Sequence, residues 1–357
     1  VETAPGTMTI VLISDGGAEQ HACRLLADRL EQQGQPCLTI GAPAFGWHSP
    51  WPAVRPQLEI PTDALLGTTL LEEATAIGLF LQDTDQLDRL VHGYRELCRH
   101  RGRKPAPVFS GPLAPVVGDK LISELSSRHR CDLVLLHGER QRQEAAAMRF
   151  NWPASLKAPP LVCGGFWFMP ERPHLGCLSG GLSTPPYSLL VLAQQSIPTQ
   201  IGAKSQMLRQ LIRWAEASPQ WHVVIQRDHA WNDDEPWIPF YEPEDWTLPP
   251  NLGFGEPGQM LTLLSNCTAC AGVSSPWLFT AMAWGRRAMV IGDFGIHSSQ
   301  GTSGFFGSGA MHRLRSIHQL DQLLDLPKPS QSWLESMGWA VHDGPARLRR
   351  ALKEITP

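Results

Sequence analysis

The 357-residue chain has no long hydrophobic run and no block of basic residues. Without about 18 consecutive apolar residues, no membrane-spanning helix is expected, and no signal peptide is expected either. A formal net charge of −4 without a basic block argues against a nucleic-acid surface. The composition that remains, 42% hydrophobic and 18% charged, is typical of a globular chain, and its length favours two domains.

Metal-binding patterns are also missing. The eight cysteines are scattered, and the single CxxC formed by Cys267 and Cys270 has no second pair or histidine cluster to complete a zinc site. No DxD motif stands at the end of a predicted strand, and Asp233-Asp234 falls in an acidic loop. The sequence therefore predicts no metal and no other cofactor. Scattered cysteines on apolar patterns favour reduced, buried thiols in a cytoplasmic protein.

Apolar runs and helical periodicities alternate along the chain, which is typical of α/β folds with parallel sheets. The opening segment predicts a strand over Thr9–Ser14, a helix over Ala18–Gln33 and a strand over Pro36–Ile40. The Asp-Gly-Gly turn at residues 15–17 lacks the complete glycine fingerprint of dinucleotide-binding folds. A dinucleotide site is therefore not predicted there.

Two such alternating series predict two domains. The first is expected over residues 8–165, followed by a linker over 166–187 that is rich in glycine, proline and aromatic residues. The second is expected over residues 188–330, and the helices over 331–357 are expected to cross back to the first domain. The predicted fold class is therefore α/β, with two Rossmann-like domains facing a cleft.

A serine pair in the second predicted domain indicates a ligand site. An apolar strand over Ala269–Val273 ends at Ser274 and Ser275, and a helix is predicted over Trp277–Trp284. Hydroxyl groups and backbone N–H groups at a helix N-terminus form a site for anions, most often phosphate. The alternative is that Ser274 is only an N-cap. Two α/β domains with a phosphate site in the second describe the GT-B glycosyltransferase fold.

Longer stretches of the second half carry a family resemblance. They are VVIQRDH, NLGFGEPGQMLTLL and GVSSPWLFTAMAWGRRAMVIGDFG. These stretches resemble the donor half of bacterial GT-B sialyltransferases and of the related Kdo and capsule-polymer transferases. The whole chain is similar to a bacterial family of predicted glycosyltransferases through RCDLVLLHGERQ, LLVLAQQSIP and the segment from GDFG to GSG. This similarity covers most of residues 8–325.

The resemblance implies an inverting, metal-independent glycosyltransferase that moves sialic acid or a Kdo-like sugar from a CMP-linked donor to a glycan or lipid-linked acceptor. Peripheral contact with a membrane fits such an acceptor. The chain departs from the sialyltransferase pattern, which has His-Pro where Asp228-His229-Ala230 stand here. A UDP- or GDP-linked donor, a non-catalytic nucleotide- or sugar-binding protein, and a UDP-sugar epimerase therefore remain alternatives.

The donor site is predicted at strand ends of the second domain, where ligands bind in open α/β sheets. Ser274 and Ser275 are expected to bind the donor phosphate. Glu256 is expected to accept hydrogen bonds from the ribose hydroxyls; alternatively it is an exposed loop residue. Arg227 or His229 is expected to offset charge on the departing phosphate. The remaining predicted donor contacts are Gln194, Gly272 and Ser308.

An inverting transfer also needs a base for the acceptor hydroxyl. Asp15 ends the first strand and is the predicted base; alternatively it caps the helix that follows. His137 and Glu139 follow another strand of the first domain and are predicted on the acceptor side, with Glu139 as the second candidate for the base. The expected partners are a nucleotide-sugar donor and a glycan or lipid-linked acceptor.

Overall fold

The computed structural model describes residues 9–41, 54–148, 158–173, 187–194, 196–227, 247–256 and 258–355. The chain forms two compact units. Within the described ranges, the first unit contains residues up to 170 together with 335–355, and the second contains residues 171–334. The chain thus passes between the units after residues 170 and 334, where the sequence predicts domain limits at 165 and 330.

The first unit is built on a seven-stranded parallel sheet with the spatial order β3-β2-β1-β4-β5-β6-β7. Its strands are β1 (Ile10–Ser14), β2 (Cys37–Gly41), β3 (Leu58–Glu59), β4 (Ala76–Phe80), β5 (Val108–Ser110), β6 (Leu133–Leu136) and β7 (Leu161–Cys163). The helices between them are α1 (Gly17–Glu31), α2 (Leu70–Glu73), α3 (Thr84–His100), α4 (Gly118–Ser126) and α5 (Glu139–Met148). A 3₁₀ helix over Thr62–Gly67 precedes α2.

The second unit is built on a six-stranded parallel sheet with the order β10-β9-β8-β11-β12-β13. Its strands are β8 (Tyr187–Ala193), β9 (Trp221–Arg227), β10 (Leu252–Phe254), β11 (Ala269–Gly272), β12 (Arg287–Ile291) and β13 (Met311–His312). Its helices are α6 (Ile201–Ala217), α7 (Met260–Asn266) and α8 (Trp277–Ala283).

Two further helices end the chain. Helix α9 (Gln331–Met337) begins in the second unit and ends in the first. Helix α10 (Gly344–Ile355) belongs to the first unit, where it packs against β7 and α1. Its buried residues Leu348 and Leu352 lie on one face, as the helical spacing of its apolar residues predicts.

Both sheets carry helices, which explains why the central strands read as continuous apolar runs. In the first unit, Leu87 and Val91 of α3 are completely buried in the core beneath β1 and β4. In the second unit, Trp214 and Trp221 are completely buried, and their indole N–H groups donate to the carbonyl of Ile317 and to Asp321, each at 2.7 Å. Burying a side chain such as Leu87 stabilises the fold by roughly 1.5–3 kcal/mol.

The regular elements differ from the sequence predictions at short segments. Strands β3 and β13 have only two residues each, too few to produce a periodic signal. A helix predicted over Ser316–Leu324 is instead a 3₁₀ helix over Leu320–Asp325. The predicted long loop over Gly41–Pro61 falls partly outside the described residues.

Helix α4 ends earlier than the predicted span of 117–130. The hydroxyl of Ser127 donates to the carbonyl of Glu124 at 3.0 Å, and the N–H of Arg128 donates to the carbonyl of Leu125 at 3.1 Å. This tight last turn is typical of helix C-termini. It directs the side chain of Arg128 into the unit, where the residue is only 5% exposed.

Within the described ranges, every helix is too short or too polar to cross a membrane. In the same ranges, no three His, Cys, Asp or Glu side chains are grouped so that they could hold a metal ion. Cys267 and Cys270 are both free and buried.

Candidate functional site

The strand order of the second sheet reverses between β8 and β11. From β8 the chain builds β9 and β10 on one side, and it then returns to place β11 on the other side of β8. In open parallel sheets, ligands bind at the carboxyl ends of the strands beside such a reversal. A ligand site is therefore expected at the residues that follow β8 and β11.

Gln194 and Ser274 meet at this reversal. The backbone N–H of Ser274 donates to Oε1 of Gln194 at 2.8 Å, and Nε2 of Gln194 lies 3.3 Å from Oγ of Ser274. The two residues are 9% and 8% exposed. The structure thus brings two predicted donor contacts together, and it commits the N–H group of Ser274 to Gln194. The two side chains are also paired with each other, since Oγ of Ser274 lies 3.4 Å from Oε1 of Gln194.

Ser275 and Gly272 are neighbours in sequence of Ser274, and they help to form the corner that Gln194 and Ser274 make at the two strand ends. Ser275 is completely buried, and its Oγ accepts from the N–H of Trp277 at 3.4 Å in the first turn of α8. Gly272 ends β11, and a Cβ atom there would lie 3.1 Å from Cβ of Leu192 on β8. The glycine therefore permits the close approach of the two strands whose ends form the corner.

The other predicted donor contacts are exposed, held in a tight turn, or outside the described residues. Glu256 is exposed in the loop after β10. Ser308 is 2% exposed, and its Oγ accepts from the N–H of Ala310 at 3.1 Å, so that it closes a tight turn. Arg227 is the last residue of β9 and pairs in register with Ala193, but its side chain lies outside the described part. His229 is also outside the described residues.

Two arginines that the sequence analysis missed border a cavity of about 400 Å³ in the second unit. Arg313 and Arg315 follow β13 and are exposed. The cavity also contains Asp293, which follows β12, and its Oδ2 accepts from the N–H of Leu314 at 2.6 Å. This hydrogen bond fixes the end of β13 beside β12. The sequence gives no signal for these arginines, because a strand of two residues such as β13 leaves no recognisable apolar run.

The first sheet reverses in the same way between β1 and β4. Asp15 directly follows β1, and both of its carboxylate oxygens lie 3.0 Å from the N–H of Gln82, which follows β4. Burial is the main cause that raises the pKa of Asp15 above its usual range. The N-terminus of α1 has Gly16 as its N-cap and no side-chain cap. Asp15 therefore bridges two strand ends and does not cap α1.

Glu19 is the second carboxylate at this reversal, and the sequence analysis missed it. It lies in the first turn of α1 and is only 7% exposed. Its Oε2 accepts from Nε2 of Gln82 at 2.9 Å. Burial, helped by the charge of Asp15, raises the pKa of Glu19 to about 7, although Gln82 and Arg128 act in the opposite direction. From sequence alone, a glutamate in a first helical turn is an ordinary partner of the helix dipole.

Arg128 is the buried cation of the same region. Its Nε donates to Oγ of Ser110 at 3.1 Å, and its Nη1 donates to Oε2 of Glu124 at 2.6 Å. Together with Glu19 and Gln82, Arg128 lines a cavity of about 200 Å³. The first unit thus has a polar cavity at the carboxyl edge of its sheet, lined by one buried carboxyl group and one buried guanidinium group.

His137 and Glu139 occupy different surroundings. His137 is completely buried, with Nδ1 2.9 Å from the carbonyl of Gly165 and Nε2 2.9 Å from that of Pro112. Burial lowers its pKa to about 4. Glu139 is exposed, and its hydrogen bond with Arg142 lowers its pKa.

The sheet order also separates these two residues from the β1 end. They follow β6, which stands three strands from β1. At the usual strand spacing this is roughly 14 Å. The structure therefore does not join them to the pair formed by Asp15 and Glu19, and their acceptor role stays a prediction.

Solved structures of other proteins share the fold over nearly the whole chain. A "putative UDP-N-acetylglucosamine 2-epimerase" from Listeria monocytogenes has a TM-score of 0.62 at 9% identity, covering 98% of this chain and 96% of that one. S. aureus MnaA, solved with UDP, has a TM-score of 0.61 at 10% identity, covering 97% and 96%. The UDP-GlcNAc 2-epimerase from Neisseria meningitidis, bound to UDP-GlcNAc, has a TM-score of 0.58 at 10% identity, covering 97% and 100%.

These likenesses and the two parallel sheets confirm the predicted α/β class with two Rossmann-like units of the GT-B kind. No curated protein matches the chain. A family model matches residues 79–355, which include the loop after β4 and the strand ends of the second sheet. The chain therefore belongs to the family described as "Putative glycosyltransferase (DUF6716)".

Proposed function

We propose that the protein transfers a sugar from a nucleotide-sugar donor to a hydroxyl group of a glycan or lipid-linked acceptor, with inversion and without a metal ion. The observation that carries the proposal is the Gln194–Ser274 pair at the strand-order reversal of the second sheet. Ligands of open α/β sheets bind at this position. A hydroxyl and an amide can both donate to phosphate oxygens.

The donor phosphate binds beside Ser274 and Gln194, and cationic side chains offset its charge. Arg313 and Arg315 lie at the same carboxyl edge of the sheet, after β13. Arg227, the last residue of the neighbouring strand β9, and His229 are predicted from the sequence for the same purpose. Cations in these places stabilise the departing nucleotide in the role that a bound metal ion fills elsewhere.

Uridine diphosphate is the proposed leaving group. The support is that the similar structures named above are UDP-N-acetylglucosamine 2-epimerases or were solved with UDP. The CMP-linked donor that the family resemblance implies is the alternative, and one binding panel separates the two.

The experiment is a thermal-shift panel with CMP, UDP, GDP and their sugars. A ligand that binds only the native state raises the melting temperature by mass action. We expect UDP and UDP-sugars to stabilise the wild type, and Ser274→Ala and Gln194→Ala to abolish the shift. Ser332→Ala, at an exposed serine of the same unit, is the matched control and retains it. Stabilisation by CMP alone reassigns the donor, and no shift with any nucleotide contradicts the proposal.

Epimerisation of a UDP-sugar is the second candidate, because the similar structures include epimerases. The two reactions differ in what they need. A transferase releases UDP, whereas a 2-epimerase changes the stereochemistry of the sugar and needs no acceptor. Proton NMR of UDP-N-acetylglucosamine incubated with the protein in D₂O decides between them, since exchange of the C2 proton occurs only in the epimerase reaction.

A further inference from the structure

The cavity at the β1–β4 reversal of the first unit has a buried carboxyl group, that of Glu19, in its wall. Glu19, Gln82 and Arg128 line it, and its volume is about 200 Å³. The lining also includes Thr84, Ser123 and Ser127. Hydroxyl, amide and charged groups of this kind form hydrogen bonds with the hydroxyl groups of a sugar.

We propose that Glu19 is the catalytic base of the transfer and takes the proton of the acceptor hydroxyl bound in this cavity. The inference deepens the proposed function and rests on it. In the reaction, the acceptor oxygen forms a bond to the anomeric carbon of the donor sugar while the bond from that carbon to the phosphate oxygen breaks. The electron pair leaves with the nucleotide, and the acceptor proton passes to the carboxylate of Glu19.

The backbone at Gly16 passes close to the hydrogen bond between Glu19 and Gln82. A Cβ atom on Gly16 would lie 2.4 Å from Oε2 of Glu19 and 2.4 Å from Nε2 of Gln82. Gly16 has φ −131° and ψ 163°, an extended conformation that any residue adopts. A larger residue at position 16 would therefore force the ends of the Glu19 and Gln82 side chains to shift, although the backbone conformation itself does not need glycine.

Asp15, the base predicted from the sequence, has a different task in this arrangement. Both of its oxygens face the N–H group of Gln82, so that it ties the end of β1 to the loop after β4. Among the described residues that border the cavity, Glu19 and Gln82 are present and Asp15 is not. Asp15 is thus a positioning residue for Gln82, and Gln82 in turn orients Glu19.

The charges around Glu19 set its proton affinity. Asp15 faces it from the end of β1 and Arg128 from the end of α4, while Cys23 lies one turn further along α1. Lys120 also lines the cavity, where it pairs with Glu124 at 3.3 Å. Burial is the largest cause that raises the pKa of Glu19 to about 7, and the charge of Asp15 adds to it, while the hydrogen bond from Gln82 and the charge of Arg128 lower it. A base is most effective when its pKa lies near the working pH.

The test compares wild type with Glu19→Gln, which keeps an oxygen that accepts from Gln82. Glu31→Gln, at an exposed position of the same helix, is the matched control. The probes are UDP-N-acetylglucosamine, UDP-glucose and CMP-N-acetylneuraminate, with water as the acceptor and release of UDP or CMP as the readout. Thermal shifts with UDP and CMP run in parallel.

We expect Glu19→Gln to lower kcat by about 10²–10⁴-fold, the usual loss on removal of a general base. Donor KM and the nucleotide thermal shift stay within twofold of wild type, and Glu31→Gln matches wild type throughout. The wild-type kcat/KM rises with pH to a plateau with an inflection near the pKa of about 7 of Glu19, and this inflection is absent from Glu19→Gln.

Two sets of results overturn the inference in distinguishable ways. If the wild type releases nucleotide and Glu19→Gln retains more than about a tenth of its kcat, the proposed function stands and Glu19 is not the base. An inflection that persists in Glu19→Gln leads to the same conclusion. If the wild type neither releases nor binds any nucleotide, the proposed function is contradicted, and the role of Glu19 is lost with it.

Discussion

Gly16 lies directly beside the side chain of Glu19: a Cβ atom on Gly16 would lie 2.4 Å from the carboxylate Oε2 of Glu19. Real Cβ atoms essentially never approach a heavy atom so closely. The same Cβ would also lie 2.4 Å from Nε2 of Gln82. Any side chain at position 16 therefore displaces the hydrogen bond that orients the buried acid.

Replacing Gly16 with alanine should separate Glu19 from Gln82. We expect Gly16→Ala to destabilise the protein by about 1–3 kcal/mol, because a buried acceptor loses its partner. The rate of nucleotide release should fall by about tenfold or more, since small displacements of catalytic groups reduce rates strongly. Urea unfolding and nucleotide release measure the two effects. Gly202→Ala is the control, because a Cβ there meets no atom within 4 Å; equal effects in both variants would contradict the steric argument.

Glu19 should also make stability depend on pH. Its pKa of about 7 in the folded protein lies above the ordinary value of 4.5, so the folded state binds the proton more tightly than the unfolded state. The contribution is fully present below pH 4.5 and is lost as the pH rises to about 7. Glu19→Gln, which stays neutral, should therefore exceed wild type in unfolding free energy at pH 8 by about 3 kcal/mol and equal it near pH 4.

Urea unfolding at both pH values measures this difference. Glu31→Gln, on the exposed part of α1, should follow the wild type at both. A difference between Glu19→Gln and wild type that is the same at pH 4 and pH 8 would show that Glu19 does not titrate in this range.

The sequence predicts the fold well because the central strands are buried on both faces and read as apolar runs. It also locates the Gln194–Ser274 corner, since both residues directly follow such runs and strand ends collect at one edge. Glu19 escapes prediction for a physical reason. Its burial and its pKa depend on Gln82, 63 positions away, and on Arg128, and neither contact leaves a local pattern. Arg313 and Arg315 escape because β13 has two residues.

The Gln194–Ser274 pair allows binding to be separated from folding. In Gln194→Glu, a carboxylate oxygen still accepts from the N–H of Ser274, but the donor Nε2 is replaced by a negative charge. We expect the fold to persist and affinity for UDP to fall by more than about tenfold, because a like charge stands beside the phosphate. Isothermal titration measures the affinity and circular dichroism the fold. Unchanged affinity would show that phosphate binds elsewhere.

Asp321 is exposed but should stabilise the second unit through two hydrogen bonds that it accepts. Its Oδ1 accepts from Nε1 of the buried Trp221 at 2.7 Å, and its Oδ2 accepts from Nε2 of Gln220 at 2.8 Å. Asp321→Ala leaves the indole N–H without this acceptor and should cost about 1–3 kcal/mol in urea unfolding. Asp325→Ala, at an exposed position of the same 3₁₀ helix, should cost less than about 0.5 kcal/mol. Equal costs would show that the indole finds another partner.

Cysteine labelling tests the packing of both units at once. Seven of the eight cysteines lie in the described part, and all seven are free and buried. Burial raises the pKa of Cys37, Cys131 and Cys267 to about 12, so these thiols do not form the reactive thiolate at pH 8. A thiol reagent such as DTNB should therefore label these seven cysteines only slowly in the native protein and quickly after unfolding in urea. Rapid labelling of two or more thiols in the native protein would contradict this packing, and mass spectrometry of the labelled peptides would identify the sheet that opens.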